Sequence, residues 1–266
     1  FRWGVSSVSE ARAHVRTLAD AGVDVIKLVN QDQMTTAEAR AVVDEAHARG
    51  LRVVGHSHRP EEILLGLEIG IDNFEHTGLT TAPEYPPNVI EALRARTARG
   101  RISGGPLYWT PTIEGLWNYA RTRENSEFLD NDCWHRGLEP DTIADIAASI
   151  EHPERLSYTQ LTPLRAPTLR RKFEQLREAG VVMLIGTDSG IPMKFHCQAT
   201  WNEFDVWTRE LDVPVMDAAD IIAVDGDLMT YPNLLQHVDL VMKGGTLYVE
   251  DGQVNEALLP ANMRME

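Results

Sequence analysis

Residues 51–77 read LRVVGHSHRPEEILLGLEIGIDNFEHT, and this stretch decides the fold. Leu51–Gly55 is a short apolar run between Gly50 and a polar cluster, the pattern of a strand. Pro60 suits the first turn of a helix through Glu68, where a missing N–H costs nothing, and Gly70 closes that helix. Ile71–Phe74 is a second strand. A helix between two strands returns the chain to its starting side, so the strands run parallel. His56 and His58 then follow the first strand and His76 the second, at the C-terminal ends where parallel α/β sheets and barrels place their ligand sites.

The same rhythm extends in both directions. Ser7 with Glu10 three residues on forms a capping box for a helix ending near Ala21-Gly22, and Val23–Val29 (VDVIKLV) is a β-branched strand carrying Lys27. Thr35 and Glu38 form a second capping box for a helix to Arg49-Gly50. Asn88 and Glu91 cap a helix ending at Arg99-Gly100, after which Arg101–Ser103 opens another strand, weakly marked between Arg101 and Trp109. Further on, Thr168–Ala179 is an amphipathic helix, and Val181–Gly186 (VVMLIG) is the most hydrophobic strand, delivering Thr187, Asp188, Ser189 and Gly190 at its end. Thr200 and Glu203 suit the start of a helix reaching about Leu211.

Two regions depart from this rhythm. Residues 104–165 form a long insertion with a helix around Asp141–Ile150 and a connection punctuated by Pro153, Pro163 and Pro167. Its aromatic residues Tyr108, Trp109, Trp117 and Tyr119 line a substrate pocket or simply pack in the core. Residues 217–266 have an all-β texture: Asp220-IIAVDGD is a strand and turn, and VDLVMKGGTLYVEDG from Val238 is a strand pair joined through Lys243-Gly244-Gly245.

Composition narrows the function classes. A chain of 266 residues with 43% hydrophobic content suffices for one large domain, or a domain with a small annex. The formal charge of -15 speaks against a nucleic-acid or anionic-membrane surface, and no apolar run reaches the roughly 18 to 20 residues that span a bilayer. Cys133 and Cys197 are the two cysteines, which excludes a disulfide-stapled scaffold and a CxxC metal knuckle. The chain starts at Phe1 without a leader pattern, so a cut or truncated N-terminus is expected and the compartment stays open.

Lys27, His56, His76 and Asp188 stand at four strand ends, where a parallel barrel would gather them around one axis. Nitrogen and oxygen ligands suit Zn²⁺ and related metals, with manganese, cobalt and iron as alternatives. Each residue alone has an ordinary reading: a hydrogen-bonded structural histidine, a lysine paired with an acidic neighbour, or an Asx turn at GTD.

The segments IKLVN, GHSH, EHTG and IGTDSG, with IPMKFHCQATWNEF, ADIIAVDGD and VDLVMKGGTLYVEDG, together resemble the amidohydrolase superfamily, especially its imidazolonepropionase-like and Xaa-Pro dipeptidase-like branch. The resemblance covers most of the chain outside 104–165. It implies an α/β fold: a (β/α)8 TIM barrel represented over residues 1–216 by its fourth to eighth strands, followed over 217–266 by part of a small β-sandwich. It also implies two divalent metal ions, zinc preferred, bridged by Lys27 after carboxylation by CO₂. His56 and His76 would be the fifth- and sixth-strand ligands, and Asp188 a ligand and the catalytic base. His58 would lie near the substrate, and His196 would join Tyr108 and Trp109 at its pocket. Burial would favour the neutral amine that carboxylation of Lys27 requires.

Departures from the family pattern matter equally. No His-x-His pair precedes Lys27, since His14 falls inside the first helix, and three barrel strands are missing. A glycine-rich approach is also absent where VPVM runs into Asp217-Ala218-Ala219-Asp220. A fragment of a larger hydrolase is the preferred expectation over a self-sufficient domain. The expected activity is hydrolysis of an amide bond in a small peptide or N-acyl amino acid. Alternatives are a lactonase or esterase on the same metals and a non-catalytic remnant needing a partner. Buried apolar faces would serve either a missing half or a homo-oligomer interface.

Overall fold

Helix caps set the frame. The computed structural model describes residues 3–29, 33–77, 80–100, 105–113, 135, 137–152, 156, 160–190, 194–195, 199–214, 221–223, 240–243, 246–250 and 253–255. Helix α1 (Val8–Asp20) is capped by the Ser7 hydroxyl, which accepts from Glu10 N, while the Glu10 carboxylate turns back to Ser6 N at 2.7 Å instead of to Ser7. Strand β1 (Val25–Leu28) follows, and α2 (Thr36–Ala48) carries the full reciprocal box between Thr35 and Glu38. Then come β2 (Arg52–His56), α3 (Pro60–Ile69), β3 (Asn73–Glu75) and α4 (Pro87–Gly100). Gly70 ends α3 in the left-handed region at φ 96, a conformation open to glycine at no steric cost.

Three elements differ from expectation. Strand β4 is Tyr108–Thr110, inside the supposed insertion, so the regular rhythm runs about as far as Ile113; Arg101–Ser103 lie outside the described residues. After α5 (Pro140–Glu151), helix α6 spans Thr162–Glu178 and begins six residues before the expected start at Thr168. Pro163 fits its first turn, where backbone N–H groups have no helical acceptor, and Pro167 forfeits one interior bond. Strand β5 is reduced to Val182–Met183, because only Tyr108 and Trp109 of β4 pair with it. Helix α7 (Ala199–Arg209) ends just short of Leu211.

All five strands pair in parallel in the order β1-β2-β3-β4-β5. The register aligns Val54 with Asn73 and Tyr108, and His56 with Glu75 and Thr110. One face of the sheet is core: Ile26, Leu28, Val53, Phe74 and Trp109 are buried with Val15, Val43 and Leu93 of the helices. Gly66 of α3 lets the helix settle on the Phe74 ring, which a Cβ would strike. Lys27, His56, Asn73, Glu75 and Thr110 lie on the other face, none of them fully buried. Barrel closure is not seen among the described residues. Strands β6 (Ile221–Ala223), β7 (Leu240–Lys243), β8 (Thr246–Glu250) and β9 (Gln253–Val254) form one antiparallel sheet, as the all-β texture suggested; a second, sandwiching sheet is not among the described residues.

Outside the core, Arg12, Arg16 and Arg49 converge on Glu45 and join α1 to α2. Among the described residues no helix is long and apolar enough to cross a membrane.

Candidate active site

His56 is the last residue of β2, and His76 follows β3 directly. The His76 N–H still bonds Thr110 O (2.9 Å), but its φ of 74 is left-handed and redirects the side chain. His76 Nε2 thereby comes 2.7 Å from His56 Nδ1, while its Nδ1 lies 2.7 Å from the Thr112 hydroxyl. The His58 ring completes the group, 4.1 Å from His56 and 5.0 Å from His76 between centroids. Three imidazoles at the C-terminal edge of one sheet are thus brought together from a pair of neighbouring strand ends.

Charged groups surround them. The Lys27 ammonium pairs with the Glu75 carboxylate, which itself comes within 3.8 Å of His76 Nε2. Asp188, exposed and left-handed at φ 55, acts electrostatically on His56 from the loop after β5. Thr112 is left-handed as well (φ 51), so the segments leaving β3, β4 and β5 each carry a non-glycine residue in a rarely populated conformation. Such strain persists only where the surroundings over-determine it, and it gathers at functional sites.

The imidazoles are held neutral. Burial, with the repulsion that protonated His56 and His58 would exert, pushes the His76 pKa down to about 2. Burial with His56 lowers His58 to about 4. Burial and the Lys27 charge lower His56, against Glu75, Asp188 and Glu62, which raise it. A metal ligand must be a neutral ring, so this state suits coordination. Trp109 fixes the support from behind, donating from Nε1 to His76 O (3.0 Å) and the Thr77 hydroxyl (2.8 Å).

The donor types would suit a divalent ion: two imidazole nitrogens converge with the Glu75 and Asp188 carboxylates nearby, and His58 Nδ1 is buried with no hydrogen-bond partner among the described residues. The spacing needs adjustment, since two nitrogens on one tetrahedral zinc stand about 3.4 Å apart. Among the described residues, no three His, Cys, Asp or Glu side chains are arranged to hold a metal ion as they stand.

Lys27, His56, His58, His76 and Asp188, chosen from sequence, therefore share one neighbourhood. Trp109 does not line a pocket: it is 0% exposed, beneath the site between Phe74 and Tyr85. Tyr108 is half-buried two residues before the β4 C-terminus, with the Arg52 guanidinium 5.2 Å over its ring. His196, Trp117 and Tyr119 lie outside the described residues. A cleft of about 540 Å³ does border Lys27, between α1 and β1, where Trp3, His14, Ile26 and Met34 line it. Sequence reasoning missed Thr112 and Lys194 as site neighbours. It gave Glu75 no role of its own, although Glu75 precedes His76 and shares a sheet face with His56.

No protein-family model and no curated protein sequence matches the chain. Solved structures do, and the likeness is one of fold. Bottromycin amidohydrolase aligns at TM-score 0.56 and 20% identity over 93% of this chain and 60% of its own. The A. niger ochratoxinase gives 0.54 and 18%, over 92% and 55%. A Xaa-Pro dipeptidase with methionine bound in its active site gives 0.50 and 23%, over 92% and 59%. The chain thus spans somewhat over half the length of these proteins.

Proposed function

We propose that the chain is the later part of a metal-dependent hydrolase that cleaves an amide bond of a small peptide or N-acyl amino acid. The observation that carries this reading is the convergence of the His56 and His76 imidazoles, kept neutral at parallel strand ends beside Asp188. The fold shared with amidohydrolases supports it. In this reading the five parallel strands belong to a (β/α)8 barrel completed by β/α units outside the chain, and residues 217–266 contribute to a β-sandwich.

His56, His76, Asp188 and, as a CO₂-derived carbamate, Lys27 would hold two divalent ions, zinc by donor type. Bound there, the ions would lower the pKa of a water and polarise the scissile carbonyl. Asp188 accepts the proton of the attacking water as the C–O bond forms, then passes it to the leaving nitrogen as the C–N bond breaks. His58 would lie near the substrate. Lys27 must leave the Glu75 carboxylate and lose a proton before it takes up CO₂.

The test is metal content by elemental analysis, with intact mass, on the purified protein, followed by a panel of dipeptides, N-acyl amino acids, esters and lactones. Bound transition metal together with amide cleavage that Asp188→Asn abolishes is the expected result. A metal-loaded protein that turns over esters or lactones and no amide would overturn the substrate class. A protein of 29.8 kDa that binds no metal would overturn the enzyme reading for the chain by itself.

A further inference from the structure

Two lysines are buried among the described residues, Lys172 at 1% and Lys194 at 2% exposure, and they do different things. Lys172 Nζ ties α6 to the chain at Thr80, bonding the Thr80 carbonyl and hydroxyl and the Thr168 hydroxyl. Lys194 Nζ reaches the candidate site, donating to Thr112 O at 2.8 Å and to Thr187 O at 2.6 Å. Gly190 N donates to Lys194 O at 3.0 Å, which holds Lys194 beside the Asp188 segment.

Each accepting carbonyl adjoins a left-handed residue. One belongs to Thr112 itself, and the other lies in the peptide plane that leads from Thr187 into Asp188. Thr112 in turn holds His76 Nδ1 through its hydroxyl. A buried ammonium persists only when hydrogen-bonded, and its three donors can grip carbonyls from separate segments. Left-handed backbone at a non-glycine residue needs such an outside constraint.

We infer that Lys194 is a positioning residue: one ammonium fixes the backbone of Thr112 and of Thr187–Asp188 together, and so sets both the orientation of His76 and the aim of the Asp188 carboxylate. This deepens the hydrolase reading and rests on His76 and Asp188 as its site residues.

Lys194→Gln keeps a donor and removes the charge; Lys172→Gln is the control for burial alone. In the metal-free protein, the His76 imidazole nitrogen signals in a long-range ¹H–¹⁵N spectrum should move in Lys194→Gln and stay in place in Lys172→Gln. In the metal-loaded protein, Lys194→Gln should lose about tenfold or more in kcat, with KM held within about threefold. Lys172→Gln should lose thermal stability alone. Unchanged imidazole signals and kcat in folded Lys194→Gln would overturn the proposal. If the unsubstituted protein hydrolyses nothing, the hydrolase reading fails and the imidazole spectrum alone decides the role of Lys194. If Lys194→Gln does not fold, couplings across hydrogen bonds from Lys194 Nζ to the carbonyl carbons of Thr112 and Thr187 decide it in the unsubstituted protein: their presence supports the clamp and their absence overturns it.

Discussion

Thr112 and His76 are both left-handed, at φ 51 and 74, and a 2.7 Å contact joins the Thr112 hydroxyl to His76 Nδ1. That contact leaves His76 Nε2 facing His56. Thr112→Val keeps the shape and removes the hydroxyl, stranding a buried ring nitrogen at a cost of about 1–3 kcal/mol. Loss of an orienting partner of this kind lowers metal affinity about tenfold to a hundredfold. Zinc titration and urea unfolding of the variant check both effects, and unchanged affinity would contradict the role given to Thr112.

Acid should unfold the metal-free protein in a window set by the histidines. His76 and His58 titrate at about 2 and about 4 in the fold, against 6.5 for an unperturbed imidazole. The unfolded chain therefore binds more protons below about 6.5, and stability falls as pH drops through that value. Urea midpoints should be flat above about pH 7 and decline from there toward pH 5. His58→Asn should shallow the slope; a slope unaltered in that variant would show that His58 does not contribute.

A second acid-sensitive element joins α1 and α2. Hydrogen bonds from Arg16 and Arg49, with a smaller one from Arg12, lower the Glu45 pKa to about 2 from an ordinary 4.5. Its depressed carboxyl stabilises the fold above 4.5, and that contribution is lost as pH falls through about 2. Glu45→Gln should lower Tm at pH 7 and flatten the stability profile in that window, as thermal melts across pH would show.

Gly66→Ala pits helix propensity against space. Alanine gains up to about 1 kcal/mol in a helix interior. Its Cβ would strike the Phe74 ring, which is 0% exposed and packed at a tilt against Trp109, and overpacking of that kind costs about 1–3 kcal/mol. A lower Tm is expected, and a raised one would mean that α3 lifts off the sheet freely.

Much of this was legible in sequence because the signals are local. Thr35–Glu38, Pro60 and Gly70 mark helix ends through nearest-neighbour hydrogen bonds and φ preferences, and the paired strands follow from the spacing between them. Lys27, His56, His76 and Asp188 were legible because parallel strands put function at one edge, and His58 through the family resemblance. Trp109 was misplaced since an aromatic residue on a strand reads alike from either face; only the β3–β4 register turns it toward Phe74. Thr112 and Lys194 were invisible as partners because their contacts join segments distant in the chain. The early start of α6 was hidden by Pro163, which is read as a breaker until the helix is known to begin beside it.

The brevity of β5 divides the site into a stiff half and a compliant half. His56 and His76 issue from strands paired on both sides within the sheet. Asp188 issues from a two-residue strand, where Val182 N and Leu184 N donate to Leu107 O and Trp109 O. Elements with so few bonds open at low free energy, on the timescale of hydrogen exchange and without global unfolding. The histidine edge should thus behave as a fixed anvil, and the aspartate segment should owe its rigidity to the Lys194 bonds rather than to the sheet.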